Sequence, residues 1–546
     1  MMRNGYSILK NSALWLWRIR NENGKWYDDF KNEEGILNME EALFAILLSK
    51  EKISSLQNDQ FNEIIYNDIK RLIGKIREQG FNGTPYLDLR SEFNNQVLDF
   101  VDSLSYFFSV IKLVLSDDKI RSKFNNDEIN DIKDLVKNKI EKILNGAIDI
   151  NYKNENVKAI TWLLNDDIQR IGNNRGRINP SAYFTYSLLS GLYDAYSMDF
   201  IDNELKIKIK NFVSSITNGI IIFKGEYKDS YFWSENLRLN DIQTFTLLST
   251  IYIFMSLIYS KYYFETDIRD IDNVIEKTKN FIIEGLNTFM RNNIDPYTYT
   301  YNPINQGGRG FGADFIDETF WFEALNALTL YGNFMEENGN KEELQNLKDQ
   351  ILEKIFNLYE SYNNSNENKG GFFTRNGKSA IYMTSPAIES LIPNVIYEKT
   401  EEEKILEKFD ELKETFLNII KENSFDLTRI YNFIIECNMN DDGLIMKNLE
   451  RYITDKGDIT KHGPDYIEIQ KRNLKNILNL LKNDSQIQIY NSINTLHGKY
   501  IDVIEKLKNE ILNIDKTLEI NKYRYYIIKS LIEFNDMIEN KQNGGS

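Results

Sequence analysis

The feature that most constrains the fold is a helix–loop–helix unit that recurs along the first two thirds of the chain. In each copy, an apolar helical stretch leads through a loop with glycine or aromatic residues into a second apolar helical stretch. Five copies are recognisable, and their second stretches are predicted at 39–48, 181–196, 241–259, 319–331 and 382–392. Such a unit buries its apolar side only against its neighbours, so the series predicts an all-α helical-hairpin repeat array.

The first stretches of the later copies are predicted at 157–164, 220–227, 281–290 and 355–362. A repeat array either stays open as a solenoid with a groove or closes into an α/α toroid around a central cavity. The chain contains 32 Phe and 32 Tyr. Large rings fill a deep enclosed space well, although they also fill ordinary cores. We therefore expect the toroid.

Composition and charge exclude several classes of protein. With 546 residues and 42% hydrophobic content the chain is long enough for sizeable cores. The net charge of −16 argues against nucleic-acid binding, which needs clustered Lys and Arg. No apolar run reaches the ~18 residues that a membrane span requires. The single cysteine, Cys437, fits a reducing compartment, and the Asn-, Ile- and Lys-rich composition is typical of AT-rich bacteria, so we expect a cytoplasmic bacterial protein.

The composition and the apolar pattern of the sequence change near residue 398. An acidic run there is followed by long polar helical stretches with narrow apolar stripes. We predict a toroid over 1–397 and a helical C-terminal domain over 398–543, whose stripes suit a small bundle or docking onto a protein partner. The last residues, 544–546 (GGS), are typical of an expression remnant and are left out of the fold prediction.

A glycine-rich approach and a cluster of acids precede the helical stretch that contains Trp321. Gly307, Gly308, Gly310 and Gly312 require a loop there.

Asp314, Asp317 and Glu318 follow that loop at the start of the helix. Backbone N–H groups and the helix dipole favour negative charge at such a position, which is the simplest account of these acids. Catalysis by the same acids is the alternative.

The repeats resemble a known superfamily. The segments ALWL at 13–16 and NGKW at 23–26 are similar to the aromatic, glycine-turn repeats of terpene cyclases and protein prenyltransferase β-subunits. The segment INPSAYF at 178–184 resembles a segment of class II diterpene cyclases. The resemblance covers roughly residues 10–395 at the level of repeat shape. It implies an α/α toroid with an apolar small molecule in its cavity.

The same resemblance implies an acid motif that starts cyclisation, DxDDT, whose central Asp donates the proton. The best match is Phe315-Ile316-Asp317-Glu318-Thr319, in which Asp317 is the central acid and Phe315 replaces the first Asp. A strong acid needs neighbours that stabilise its conjugate base, so the loss of one partner weakens the match. Asp314 replaces that partner only if the loop bends.

Metal sites are not predicted. The zinc of prenyltransferases is held by Asp, Cys and His, whereas this chain offers only Cys437, His462 and His497, all outside the repeats. Asp166 and Asp167 lack the third acid of a magnesium–diphosphate motif. We expect neither a metal nor another cofactor.

Carbohydrate-active enzymes also use α/α toroids, with two carboxylates across a cleft. Glu235 lies in a loop next in the series to the one that carries Asp317 and Glu318, and Arg309, Arg375 and Tyr382 lie in comparable loops. The candidate ligand-binding residues are Arg309, Trp321, Trp233, Glu235 and Tyr382.

Three functional hypotheses follow. The first is a component that binds a protein or a ligand, with a protein partner on the C-terminal helices, within a multicomponent system such as antiviral defence. The second is a divergent terpenoid cyclase that protonates an isoprenoid through Asp317. The third is a carbohydrate-active enzyme. The residues leave open whether the protein is an enzyme.

Overall fold

The computed structural model describes residues 5–27, 34–53, 56–81, 98–171, 179–238, 247–292, 319–334, 341–363, 370–372 and 380–395. The α-helices in these ranges are α1 (Gly5–Asn23), α2 (Ile36–Lys50), α3 (Asp59–Gln79), α4 (Val101–Ser116), α5 (Asp118–Arg121), α6 (Asn126–Leu144), α7 (Asn165–Ile171), α8 (Ala182–Tyr196), α9 (Asn203–Ile222), α10 (Leu247–Ile258), α11 (Ile271–Asn292), α12 (Phe320–Gly332), α13 (Lys341–Asn363) and α14 (Ile381–Leu391). The strands are β1 (Ile148–Tyr152), β2 (Glu155–Ala159), β3 (Gly225–Tyr227) and β4 (Ser230–Phe232).

Six helices form a closed inner ring. Each packs against the next in the order α2, α4, α8, α10, α12 and α14, and α14 returns to α2. These helices are apolar on nearly every side, as a helix in the middle of a packed layer must be; every residue of α10 is buried. The predicted toroid is therefore confirmed, and the ring is closed rather than open as in a solenoid.

The outer layer consists of α1, α3, α6, α9, α11 and α13, which pack on the inner ring. Their sequences carry one apolar stripe, as expected for helices with one face toward a core. In α6 the buried residues Ile132, Val136, Ile140 and Ile143 follow helical spacing. The same helix begins with a reciprocal cap, in which Asn125 and Glu128 bond each other's backbone N–H groups. Inner and outer helices thus alternate along the chain.

The number of repeat units differs from the prediction of five. The described residues contain six pairs of outer and inner helices, because α3 and α4 form a further unit between the first two predicted copies. The inner helix of that pair carries Asp102, Ser103, Ser105 and Ser109 among its apolar residues. It is as apolar as other inner helices, but the charged helices α3 and α6 on either side make the stretch 50–150 polar as a whole.

Two first stretches were predicted as helical and are wholly or partly β-hairpins. The predicted helix at 157–164 begins in β2, which pairs with β1 in antiparallel register from Ile148 opposite Ala159 to Tyr152 opposite Glu155. Lys153 and Asn154 have positive φ angles of 49° and 67° and form the tight turn. A short apolar run cannot be assigned to helix or strand by period alone, and here the turn decides it.

The second hairpin replaces the end of the helix that was predicted at 220–227. Helix α9 ends at Ile222, and β3 then pairs with β4 around Lys228, whose φ is 52°. This hairpin delivers Trp233 and Glu235 to the start of α8, where Ala182 N–H donates to the Glu235 carbonyl at 3.0 Å.

Close contacts hold the inner helices together. A Cβ on Gly191 would lie 2.4 Å from Ser105 Cα, so only glycine allows α4 and α8 to approach this closely. Ser105 Oγ donates to the Ser187 carbonyl across the same contact at 2.5 Å. At the seam of the ring, Ser385 Oγ of α14 donates to the Glu41 carbonyl of α2 at 2.9 Å. Serine side chains thus form hydrogen bonds between neighbouring inner helices.

Within the described ranges, no helix is both long and apolar enough to cross a bilayer. The predicted C-terminal domain, 398–543, lies outside the described residues, as do Cys437, His462 and His497. The domain boundary and the partner-docking role of those helices therefore stay predictions.

Candidate active site in the central cavity

The inner ring encloses a cavity of about 120 Å³, and all six inner helices contribute to its wall. Its lining residues recur at helical spacing, as the positions of one helix face do. On α4 they are Asp102, Ser105, Tyr106 and Ser109, and on α14 they are Tyr382, Pro386 and Glu389. The cavity wall is thus built from the same face of successive inner helices.

The wall is acidic and aromatic. It carries the carboxyl groups of Glu41, Asp102, Glu235, Glu323 and Glu389. Rings alternate with them, chiefly from Tyr106, Tyr183, Tyr186, Tyr252 and Tyr382. No Lys, Arg or His side chain is present among the described residues of this wall. The cavity is therefore a polar site with one sign of charge.

Glu323 and Glu389 form an interacting pair of carboxyl groups. Burial raises the pKa of Glu323 to about 8, and the negative charge of Glu389 adds to the rise. Burial also raises the pKa of Glu389 to about 7, with a further contribution from Asp194. Because each pKa lies near neutrality, the pair holds a proton at physiological pH and can release it.

Glu235 is held differently. Its carboxylate accepts hydrogen bonds from the Ser181 hydroxyl, from Tyr183 N–H at 3.4 Å and from Ser249 Oγ at 3.4 Å. Burial raises its pKa to about 7, while these hydrogen bonds oppose the rise. Ser181 also caps α8 by accepting from Phe184 N–H. Glu235 therefore both lines the cavity and secures the start of an inner helix.

A third acidic group lies where α2 meets α4. Glu40 is fully buried and accepts from Ser103 Oγ at 2.5 Å. Burial raises its pKa well above the ordinary value, and the nearby charges of Asp102 and Glu41 add to the rise. Glu41 and Asp102 themselves line the cavity. Acidic groups thus continue from the cavity into the contact between these two helices.

The tyrosines pack against one another along the wall. Tyr186 stacks on Tyr252 with ring centroids 5.5 Å apart, and Tyr183 meets Tyr252 edge to face at 5.2 Å. Burial raises the pKa of Tyr186 well above its ordinary value, and the charges of Glu389 and Glu323 raise it further. The hydroxyl of Tyr186 therefore stays protonated at neutral pH, and Tyr186 lines the same cavity as the two carboxyl groups.

Two of the residues predicted to bind a ligand line this cavity, namely Glu235 and Tyr382. Trp233 and Trp321 are buried in the packing around it and are absent from its wall. The indole N–H of Trp233 donates to the Ile220 carbonyl at 2.9 Å. Trp321 meets Phe320 edge to face at 5.0 Å. The ligand-binding role of all these residues stays a prediction.

The predicted acids lie outside the described residues. Arg309, Asp314, Asp317 and Glu318 all fall in the range 293–318. The next residue in the chain, Thr319, lines the cavity. Their roles as catalytic or ligand-binding groups stay predictions.

Sequence reasoning missed Glu323 and Glu389. Both stand in helices that are otherwise apolar, FWFEALNALTLYG and IYMTSPAIESL. An acid within an apolar inner helix is the signal that would have selected them, because such a helix has no solvent-facing side on which to place a charge.

The described residues contain no group of three or more His, Cys, Asp or Glu side chains arranged to hold a metal ion. Asp166 and Asp167, which were compared with a magnesium motif, lie in different environments. Asp166 is exposed, whereas Asp167 is buried and accepts from Lys142 at 2.9 Å.

Comparison with known proteins returned structures but no relatives in sequence. No protein-family model matches the chain, and no curated protein matches it. One similar structure is cellobiose 2-epimerase from Bacillus thermoamylovorans B4167, with a TM-score of 0.45, 12% identity, and coverage of 71% of this chain and 99% of that chain. Another is unsaturated glucuronyl hydrolase from Bacillus sp. GL1, with a TM-score of 0.44, 10% identity, and coverage of 71% of this chain and 96% of that chain.

Proposed function

We propose that this chain binds a small polyhydroxylated molecule, of the size of one sugar ring, in the central cavity and acts on it by proton transfer. This is the carbohydrate-active hypothesis with new residues in the central roles. The observation that supports it is the pair Glu323 and Glu389, two carboxyl groups with raised pKa values that line one aromatic cavity.

The size of the cavity sets the size of the ligand. A cavity of about 120 Å³ is close to the ~150 Å³ that holds a benzene molecule in an engineered protein core. It is smaller than the roughly 300–1,000 Å³ typical of drug-sized sites. One sugar ring therefore fills this volume, and because the described residues leave the cavity open on one side, the rest of a larger glycoside can extend out of it.

The chemistry of the wall favours a polyol. A sugar ring has C–H faces, which pack on tyrosine rings, and a rim of hydroxyl groups, which bond to carboxylates and hydroxyls. The wall supplies both kinds of group. An isoprenoid would lie against buried carboxyl groups that it cannot hydrogen-bond, at a free-energy cost for each one left unsatisfied. The terpenoid alternative is therefore less favoured.

A general acid or base works best when its pKa is near the operating pH. Glu323, at about 8, and Glu389, at about 7, meet that condition, and the charge of Glu389 contributes to the raised pKa of Glu323. At neutral pH the protonated member donates to a ligand oxygen while the ionised member accepts a proton from a hydroxyl or a carbon acid. Glu235 binds ligand hydroxyls from the start of α8.

The test is to incubate the full chain with mono- and disaccharides and aryl glycosides and to follow hydrolysis or isomerisation by NMR between pH 5 and pH 9. We expect a rate that peaks near pH 7–8, because both members of the pair must be in the correct protonation state. Glu323→Gln should lower that rate at least ~100-fold. Glu204→Gln, a change of the same type at a side chain that is 80% exposed, should leave it unchanged.

Turnover of none of these compounds, or full activity in the Glu323→Gln, Glu389→Gln double variant, would remove the proposal. Circular dichroism and urea unfolding of each variant separate a loss of chemistry from a loss of fold.

A further inference from the structure

Buried acids outside the cavity are paired with cations. Asp68, Asp99, Asp167 and Glu34 have side chains that are at most 3% exposed. Each lies within ion-pair distance of Lys or Arg: Arg20–Asp68 at 2.7 Å, Lys139–Asp99 at 2.8 Å, Lys142–Asp167 at 2.9 Å and Arg71–Glu34 at 2.8 Å. These four buried carboxylates are therefore neutralised by basic side chains of the same chain, whereas Glu40, between α2 and α4, has only the Ser103 hydroxyl as a hydrogen-bond donor among the contacts described above.

The central cavity departs from that pattern. Glu323 is only 7% exposed and lines the cavity, and no basic side chain of the described residues forms an ion pair with it. Its polar neighbour is the amide of Asn326, and a hydrogen bond from that amide opposes the rise in the pKa of Glu323. Glu389, which lines the same cavity, likewise has no ion pair with the described residues. Within the part of the chain that the structure describes, the two carboxyl groups thus line the cavity without a basic side chain beside them.

An enclosed carboxylate is costly unless it is protonated or paired with a cation. Protons satisfy the pair in the empty cavity. A positively charged ligand would satisfy it better, because an ammonium group donates hydrogen bonds and is attracted both by the carboxylates and by the faces of nearby aromatic rings. Tyr186 and Tyr252 stack on each other at this wall, close enough to Glu323 and Glu389 for their charges to act on Tyr186.

We propose that the ligand of the central cavity carries an ammonium group, which binds between Glu323 and Glu389 against the tyrosines. The assignment of the ligand as an amino sugar rests on the proposed function. The ammonium group itself is inferred only from the carboxyl pair, which has no ion pair among the described residues. The cation replaces the proton that the pair holds when the cavity is empty. Binding therefore releases a proton to solvent.

The experiment is isothermal titration calorimetry of the full chain at pH 7 with glucosamine, glucose, N-acetylglucosamine and ethylammonium. The two sugars matched to glucosamine keep its ring and lack its charge, and ethylammonium keeps the charge and lacks the ring. Each titration is repeated in two buffers that differ in ionisation enthalpy, so that the number of protons released is measured directly.

We expect glucosamine to bind at least ~10-fold more tightly than glucose or N-acetylglucosamine and to release close to one proton. The double variant Glu323→Gln, Glu389→Gln should reduce that preference to ~2-fold or less and abolish proton release. Glu204→Gln should keep both. Unchanged urea midpoints at pH 6 would show that the double variant remains folded.

The outcomes separate the two proposals. Equal affinity for glucosamine and glucose would overturn the inferred charge and leave the carbohydrate proposal standing. Binding of ethylammonium and glucosamine with equal affinity, without binding of glucose, would support the inferred charge and overturn the carbohydrate proposal. Binding of none of the four compounds would overturn both.

Discussion

Two sets of buried acids in this toroid show two solutions to one physical problem. Asp99, near the start of α4, is buried, and burial alone would raise its pKa; the ammonium groups of Lys139 and Lys142 overcome that effect and lower it. Glu323, inside the ring, has no ammonium or guanidinium partner among the described residues, and its pKa is raised to about 8. The difference teaches that burial acts on both acids in the same direction and that the neighbouring cations decide whether the carboxyl is ionised at neutral pH.

An ion pair should contribute most to the free energy of unfolding where its carboxylates are most buried. Lys142 donates to Asp99 at 2.6 Å and to Asp167 at 2.9 Å. Lys142→Met removes one cation from two buried carboxylates, Asp99 and Asp167, so we expect a loss of about 3–5 kcal/mol in the free energy of unfolding. Urea denaturation at pH 7 measures it.

Lys208→Met is the matched control for that change. Lys208 pairs with Glu204 at 2.7 Å on the exposed face of α9, and such surface pairs contribute little. We expect no measurable loss. An equal loss in the two variants would show that burial does not distinguish the two pairs.

Replacing an acid of the cavity should instead increase the free energy of unfolding. The pKa of Glu323 in the folded chain, about 8, exceeds its ordinary value of 4.5. The folded state therefore binds more protons than the unfolded state between these values, and stability falls as pH rises through that window. Glu323→Gln should raise the free energy of unfolding at pH 9 by roughly 1–3 kcal/mol, at ~1.4 kcal/mol per pKa unit and with Glu389 sharing the titration.

Urea denaturation of wild type and Glu323→Gln at pH 5, 7 and 9 checks this. The difference between the two proteins should shrink toward pH 5 and disappear only below the ordinary pKa of 4.5, where the carboxyl is protonated in both the folded and the unfolded state. A variant that is less stable than wild type at pH 9 would mean that the ionised carboxylate has a partner.

Glu235→Gln should have the smallest effect of the acid substitutions. The amide removes the burial penalty of the charge but weakens the hydrogen bonds from Ser181 and Tyr183, so the two contributions offset each other. We expect a change within about 1 kcal/mol at pH 9. A gain as large as that of Glu323→Gln would place Glu235 with the uncompensated pair.

The sequence predicted those parts of the fold that depend on local pattern. The inner helices predicted at 181–196, 319–331 and 382–392 match α8, α12 and α14 to within a residue at each end. Strongly apolar helices are recognisable because no other soluble element carries such a run between turn residues. The unit of α3 and α4 was missed because the strongly charged helices α3 and α6 flank α4, so that the stretch 50–150 is polar as a whole.

The site was only partly predictable. Glu235 and Tyr382 stand beside recognisable loops, and both line the cavity. Glu323 and Glu389 meet only when the ring closes, since one is on α12 and the other on α14. Their pKa values depend on distances and burial that no local pattern contains.

Because the ring closes between its first and last inner helices, one side of α2 is uncovered during much of the synthesis of the chain. The hydrogen bond from Ser385 to the Glu41 carbonyl joins residues 344 positions apart, so α2 is made long before the helix that completes its surroundings. At ~5–20 residues per second, α2 waits on the order of tens of seconds with an apolar side uncovered. Nascent chains that end before residue 381 should therefore be cut by protease within α2, and full-length chains should not. Such protection of α2 in full-length chains alone would show that the seam forms only after the last inner helix has emerged.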